Sequence, residues 1–185
     1  MACNTLDSVE GVDCSGPVRR NVELKAKDPD PERSLAICRA LDAVDSGVIC
    51  QRDTYFNVPS GGLKLREESP GRPHLIQFQR ANEAQQRPSS YRIVAIEDGT
   101  SLRAALRESL GERGVVVKRR HLFLWRDVRI HLDDVEGLGS FLELEAVAPV
   151  DSDLTHEYEL VAELRDAFSI TDELLCAHGY ADQLL

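Results

Sequence analysis

The stretch Asn21-Val22-Glu23-Leu24-Lys25-Ala26-Lys27, NVELKAK, decides how this chain is read. Taken with a period of two, it sets Val22, Leu24 and Ala26 on one face and Glu23, Lys25 and Lys27 on the other. That is a strand with two unlike faces. Two arrangements satisfy it. The ionic row can face water on a one-sided sheet, or the apolar row can pack against helices while the ionic row turns into a closed barrel.

The same alternation returns downstream. LKLR sets Lys64 and Arg66 against Leu63 and Leu65, and VVVKRR sets Lys118 and Arg120 against Val115 and Val117. VRIHLD sets Arg129, His131 and Asp133 against Val128, Ile130 and Leu132, and LELE sets Glu143 and Glu145 against Leu142 and Leu144. A solvated face usually mixes Ser, Thr, Gln and Lys, whereas these rows are almost purely ionic and rich in Arg. With Arg80 added from IQFQR, they hold the eight bases Lys25, Lys27, Lys64, Arg66, Arg80, Lys118, Arg120 and Arg129. The acids opposite them are Glu23, Asp133, Glu143 and Glu145, so the rows carry an excess of four positive charges. An inward-facing set of this kind calls for a polyanion, because unpaired buried charge is costly. A triphosphate fits, and the carboxylates then suit Mg2+ or Mn2+, hard cations that prefer oxygen ligands.

The rest of the chain is consistent with an α+β protein. DPDPERSLAICRALDAV starts as a turn and continues as an amphipathic helix through Leu35, Ile37, Cys38, Leu41 and Val44. VICQRDTYFNV, PSGG and LKLREE make a hairpin signal, HLIQFQRA is a strand, EAQQRPSS a polar loop and SYRIVAIE a strand. GTSLRAALRESLGERG is a helix with Ser101 as N-cap and Gly111 or Gly114 as its stop. Three further strands follow, and two helical stretches end the chain, near 154–168 and 171–185, the second plugging or flanking a barrel or meeting a partner copy. There is no βαβ rhythm and no repeat.

Bulk properties set limits. The chain has 185 residues, 42% apolar and 29% charged, enough for one domain over residues 18–185 behind a short leader, 1–17. A formal charge of −10 argues against a nucleic-acid binder. No apolar run is long enough for a transmembrane helix, and MACNTLDSVEGVDCSGPVRR has neither the basic start nor the apolar core of a secretory signal. Five cysteines, an odd number without a CxxC pair, argue against a disulfide framework or zinc site and for a reducing, cytoplasmic setting.

The ordered motifs resemble a known family. NVELK is a near match to the ExExK strand of the CYTH group of triphosphate tunnel metalloenzymes. QRDTYFNVPSGGLKLRE, HLIQFQR, VVVKRRHLFLW and RIHLDDVEGLGSFLELE are similar to its later strands, in order. Within the group the likeness is strongest to class IV adenylate cyclases. The resemblance implies a closed eight-stranded antiparallel β-barrel with flanking helices. It places Glu23 and Lys25 at the hallmark's second Glu and its Lys. It gives Arg66, Arg80, Lys118 and Arg120 a grip on phosphates, Asp133 and Glu143 a metal with Glu145 assisting, and Lys25, Lys118 and Arg120 the catalytic work. The implied reaction turns ATP into cyclic AMP and pyrophosphate. Hydrolysis of inorganic, thiamine or nucleoside triphosphate on the same tunnel is the alternative, and a non-catalytic triphosphate or polyphosphate binder the second. Two positions depart from the pattern: Asn21 replaces the first Glu of the hallmark, and Gly62 stands where relatives carry a base.

Other residues carry weaker signals. His131 shares an ionic row and reads as a structural partner or a general base. Trp125 reads as a hairpin or core aromatic or as a surface on which a base could stack, Tyr55 and Phe56 read as packing residues, and the GLG at 137–139 as a turn.

Overall fold

The computed structural model describes residues 17–184. The leader expected over 1–17 therefore lies, but for its last residue, outside the described residues. Eight strands form one closed barrel: β1 (Arg19–Lys27), β2 (Val44–Phe56), β3 (Gly62–Ser69), β4 (His74–Arg80), β5 (Arg87–Ala95), β6 (Glu112–Trp125), β7 (Val128–Val135) and β8 (Gly139–Ala148). Their order around the barrel is β1-β5-β4-β3-β2-β6-β7-β8, with β8 pairing back onto β1, and every pair is antiparallel. Closure leaves no free edge.

The apolar rows face outward, as the alternation requires. Val22, Leu24 and Ala26 of β1, Ile130 of β7, and Leu142, Leu144 and Ala146 of β8 form one buried layer. Helix α3 (Thr155–Ala167) lays Leu160, Val161 and Leu164 on that layer, and α1 (Pro31–Ala40) adds Cys38. The larger hydrophobic cluster thus lies between barrel wall and helices, and most of the charged side chains are left to the lumen, which also holds apolar residues such as Ile76 and Phe78.

Local details differ from the sequence reading in ways that matter for the site. Val44 does not continue α1 but opens β2 and is 64% exposed. Helix α2 (Gly99–Leu110) is capped by Asp98, whose carboxylate accepts from the Ser101 amide at 3.0 Å, rather than by Ser101 itself; Gly111 is its C-cap. The polar loop EAQQRPSS ends sooner than its composition suggests, because Arg87–Ser90 pair into β5. The second tail helix is broken into a 3-10 turn (Asp172–Leu174) and a short α4 (Tyr180–Leu184). This segment plugs one end of the barrel: Tyr180 and Ala181 pack on Val116, Val135 and Phe141 from the inner wall.

Gly62 has a steric reason. A Cβ there would sit 2.2 Å from the Phe78 ring, so the bare backbone lets that ring lie against the wall. Cys38 is buried in the core, while Cys176 is half-buried in the broken tail; among the described residues Cys38, Cys50 and Cys176 form no disulfide. Among the described residues no helix is long and apolar enough to cross a membrane.

Candidate functional site in the barrel lumen

The ionic rows converge on the lumen around a cavity of about 310 Å3. Antiparallel register explains how they meet. Lys25 lies opposite Glu143 and Glu23 opposite Glu145, while Arg120 lies opposite Asp133 and His131 opposite Glu143. Each row is contributed by a different strand, so the barrel brings together residues more than a hundred positions apart.

The side chains form linked ion pairs. Arg120 donates from Nε and Nη2 to both Asp133 oxygens at 2.7 and 2.6 Å, and Nη2 also reaches Glu143 Oε2 at 2.6 Å. Lys25 Nζ donates to Glu143 Oε1 at 2.8 Å, and Lys118 Nζ lies 3.4 Å from Asp133. Arg66 forks onto both oxygens of Asp53 at 2.7 Å, and Lys64 reaches the same carboxylate at 3.0 Å. Arg80 and Arg87 share Glu23 Oε1, each at 2.9 Å. Arg129 approaches Glu145 at 3.5 Å. Tyr180 donates its hydroxyl to Asp133 at 2.8 Å and offers its ring to Lys25 Nζ, 3.6 Å from the centroid.

Lining the lumen or just behind its wall are the bases Lys25, Lys64, Arg66, Arg80, Arg87, Lys118, Arg120 and Arg129, against the acids Glu23, Asp53, Asp133, Glu143 and Glu145. The excess is three positive charges, inside a chain whose formal charge is −10. Burial opposes ionisation of Asp53, yet the adjacent Arg66 and Lys64 hold its carboxyl well below the usual range. Glu143 is likewise held low against its burial, chiefly by Lys25, with His131 and Arg120 adding to the effect. The lysines move the other way. Burial and the neighbouring Arg120 press Lys118 down to about 7, and burial with Arg66 presses Lys64 down to about 8.

These shifts fix a pH dependence. Unfolded lysine titrates near 10.5, so between about pH 7 and that value the unfolded chain holds protons the folded chain has released. Stability of the metal-free protein is therefore expected to rise with pH across that window. Urea denaturation at pH 7 and pH 9 measures it, and Lys118→Met should flatten the slope.

The expected site residues do not all fall together. Lys27 leaves the cavity: it sits beyond the plug, with its ammonium donating to the Leu138 carbonyl at 3.2 Å and lying 3.9 Å above the Phe141 ring. Of the four carboxylates expected at a metal, only Glu143 and Glu145 share a ligand-like cluster, and the third member is His131; their donor atoms lie within 4.8 Å of one another. Glu23 and Asp133 face guanidinium groups instead. Arg80, Lys64, Arg66, Lys118, Arg120 and Arg129 all line the cavity.

A hard divalent cation suits this donor set. Two carboxylates stand side by side, and Asn21 Oδ1 is buried in the same lumen without a hydrogen-bond partner among the described residues. An amide oxygen of that kind is an ordinary ligand for Mg2+ or Mn2+.

Three site residues escape a sequence reading. Asp53 belongs to the row Gln51–Asp53–Tyr55, which mixes amide, acid and phenol and so shows no ionic alternation. Its pairing opposite Arg66 in the β2–β3 hairpin is the signal that marks it. Arg87 hides in a stretch that reads as loop, although it is 1% exposed and anchored to Glu23 and the Ala177 carbonyl. Tyr180 lies in a five-residue helix too short to show periodicity.

Comparison with known proteins agrees with this architecture. The CYTH domain family model matches residues 19–173, and the chain belongs to that family. Its members are triphosphate-processing, metal-dependent enzymes. A protein from Pyrococcus horikoshii OT3 is 21% identical with a TM-score of 0.77, over 88% of this chain and 98% of that one. A Vibrio parahaemolyticus protein provisionally described as an adenylate cyclase is 19% identical with a TM-score of 0.72, over 89% and 97%. A Hippeastrum protein, provisionally an adenylyl cyclase and described as having a dominant triphosphatase activity, is 15% identical with a TM-score of 0.59, over 82% and 88%. At such identities the likeness is one of fold. No curated protein sequence matches the chain.

Proposed function

We propose that this CYTH-family chain binds a triphosphate in the barrel lumen and cleaves it with the help of Mg2+ or Mn2+. The observation that carries the reading is the convergence of Lys64, Arg66, Lys118 and Arg120 on one cavity that also holds Lys25, Glu143 and Glu145. Phosphoryl chemistry asks mainly for positioning and for charges set in advance where negative charge collects. Arg66 and Arg120 offer forked donors to non-bridging oxygens, and their carboxylate partners keep those forks aimed before a ligand arrives. Lys25 and Lys118 add point charges, and the plug residue Tyr180 fixes where Lys25 stands. Glu143 and Glu145, with Asn21 nearby, would hold the metal ion, whose charge would offset that of the triphosphate.

Two reactions suit this lumen. In the cyclase reading, the ribose 3′-hydroxyl of ATP attacks the α-phosphorus and pyrophosphate leaves. In the hydrolase reading, water attacks the terminal phosphorus and orthophosphate leaves. The dominant triphosphatase activity described for the Hippeastrum protein favours the second, and the sequence motifs favour the first. Incubating purified protein with ATP or inorganic triphosphate and either metal, then separating the products, distinguishes them. Cyclic AMP with pyrophosphate marks the cyclase and orthophosphate the hydrolase. Triphosphate binding without turnover leaves a binder.

A further inference from the structure

Among the carboxylates and bases of the lumen stands an imidazole. His131 on β7 lines the cavity and is 3% exposed. It lies directly across the sheet from Glu143, while Arg129, two places back, lies across from Glu145. The ring therefore meets two carboxylates at once. Its Nδ1 is 3.6 Å from Glu143 Oε2 and 3.8 Å from Glu145 Oε1, and one donor atom from each of the three residues lies within 4.8 Å of the others. Both oxygens have lone pairs to spare. Glu143 Oε2 also accepts from Arg120 at 2.6 Å, and Arg129 approaches the other oxygen of Glu145, Oε2.

These are the distances of charged neighbours, not of a hydrogen-bonded pair. A ring N–H bonded to a carboxylate sits at about 2.7–3.2 Å. Nδ1 is instead buried without a hydrogen-bond partner among the described residues. A polar atom so placed is unfavourable unless something fills the gap between it and the carboxylates. A cation does so. Atoms bound to one ion at about 2.1 Å each stand about 3.0–3.4 Å apart, so a small inward shift of the three side chains seats it. The third donor at this cluster is thus a nitrogen, where the sequence motifs led us to expect oxygens alone.

Resting on the tunnel reading above, we infer that His131 Nδ1 joins Glu143 and Glu145 as a direct ligand of the lumen metal, and that this nitrogen makes the site favour a first-row transition ion, Mn2+ foremost, over Mg2+. Mg2+ demands oxygen ligands and gives up its water reluctantly, so an imidazole adds little for it. Transition ions gain from imidazole, the commonest nitrogen ligand in proteins. Mn2+ also accepts carboxylate and phosphate oxygens, which make up the rest of the set. The two glutamates then decide that a divalent cation is held, and His131 decides which one.

The test adds Mn2+ to the full chain with inorganic triphosphate present and reads electron spin echo modulation, which shows whether a nitrogen is bound to the ion. The wild type is expected to show that modulation and to change its pattern when the protein carries nitrogen-15 histidine. His131→Asn, which puts an amide where the ring nitrogen stood, should lose it. In competition, the Mg2+ concentration that displaces half of the Mn2+ should fall by about tenfold in His131→Asn relative to wild type. Far-ultraviolet circular dichroism checks that the variant folds, and the isotope labelling needs no substitution at all. Triphosphate bound without Mn2+, Mn2+ bound without nitrogen modulation, or a nitrogen signal or metal preference that His131→Asn leaves unchanged overturns the ligand and leaves triphosphate binding in the lumen standing. Failure of the wild type to bind both Mn2+ and triphosphate overturns the tunnel reading as well.

Discussion

Glu143→Gln is expected to lower triphosphate turnover by about 10²–10³-fold while the substrate still binds. Glu143 stands at the junction of the site. It accepts from Lys25 and Arg120, lies 3.6 Å from His131 and shares the ligand-like cluster with Glu145. The amide keeps the shape and one acceptor oxygen but removes the charge that a divalent ion would meet. Removing that charge also leaves Lys25 and Arg120 less neutralised, which favours an anion. Activity should therefore collapse in kcat, partly recover at raised metal concentration, and show no weakening of Kd for the triphosphate. Steady-state kinetics across a metal titration, with calorimetry for Kd, reads both. A variant with wild-type kcat would remove Glu143 from the chemistry.

The second large effect is on stability. Arg120→Met is expected to destabilise the protein by about 3–5 kcal/mol, because it strands the buried carboxylates of Asp133 and Glu143. Asp133 would lose a two-pronged partner and Glu143 one of its two close donors. Lys118, Lys25 and Tyr180 remain beside them, which keeps the loss within that range rather than beyond it. The comparison is Arg126→Met. Arg126 pairs with Glu163 at 2.9 Å, but both side chains are more than half exposed, at 55% and 52%. That change should alter stability by about 0–1 kcal/mol. Urea denaturation of the two variants under one buffer measures the contrast. Equal losses would mean that the lumen pairs are solvated like surface pairs.

The barrel was legible because its rows are unlike. In β1 and β8, charged residues alternate with Leu, Val and Ala so strictly that the inward face follows once the helices claim the apolar side, while the register comes from the pairing of the strands in the barrel. Lys25 opposite Glu143 and Arg120 opposite Asp133 are the result. The direction of Arg80 was harder, since Ile76 and Phe78 share its row; the lumen holds all three, with Arg80 reaching Glu23 at 2.9 Å.

What escaped depends on contacts that no period records. Asp53 is an isolated acid in a mixed row, and its meaning appears only when the hairpin sets it against Arg66. Arg87 follows a stretch rich in Gln and precedes a proline, so its burial is decided by pairing with β1 rather than by local pattern. Lys27 keeps the period of its strand but runs past the end of the cavity, where Phe141 and the plug occupy the lumen. A shared face does not fix shared partners either: with no metal in the structure, Glu23 pairs with Arg80 and Arg87 and Asp133 with Arg120, while Glu143 and Glu145 stand beside His131. Gly62 looked like a missing base and is instead the space a phenyl ring needs.

The central claim is that the positive lumen exists to hold a triphosphate. Isothermal titration of the metal-free protein with ATP, at low and at raised salt, tests it most directly, with Arg66→Met run beside the wild type. One site per chain is expected, with weaker binding as salt rises and a loss of at least about tenfold in affinity for the variant, whose missing guanidinium is a charge-assisted donor. Absence of binding at millimolar ATP, or binding that Arg66→Met leaves unchanged, would contradict it.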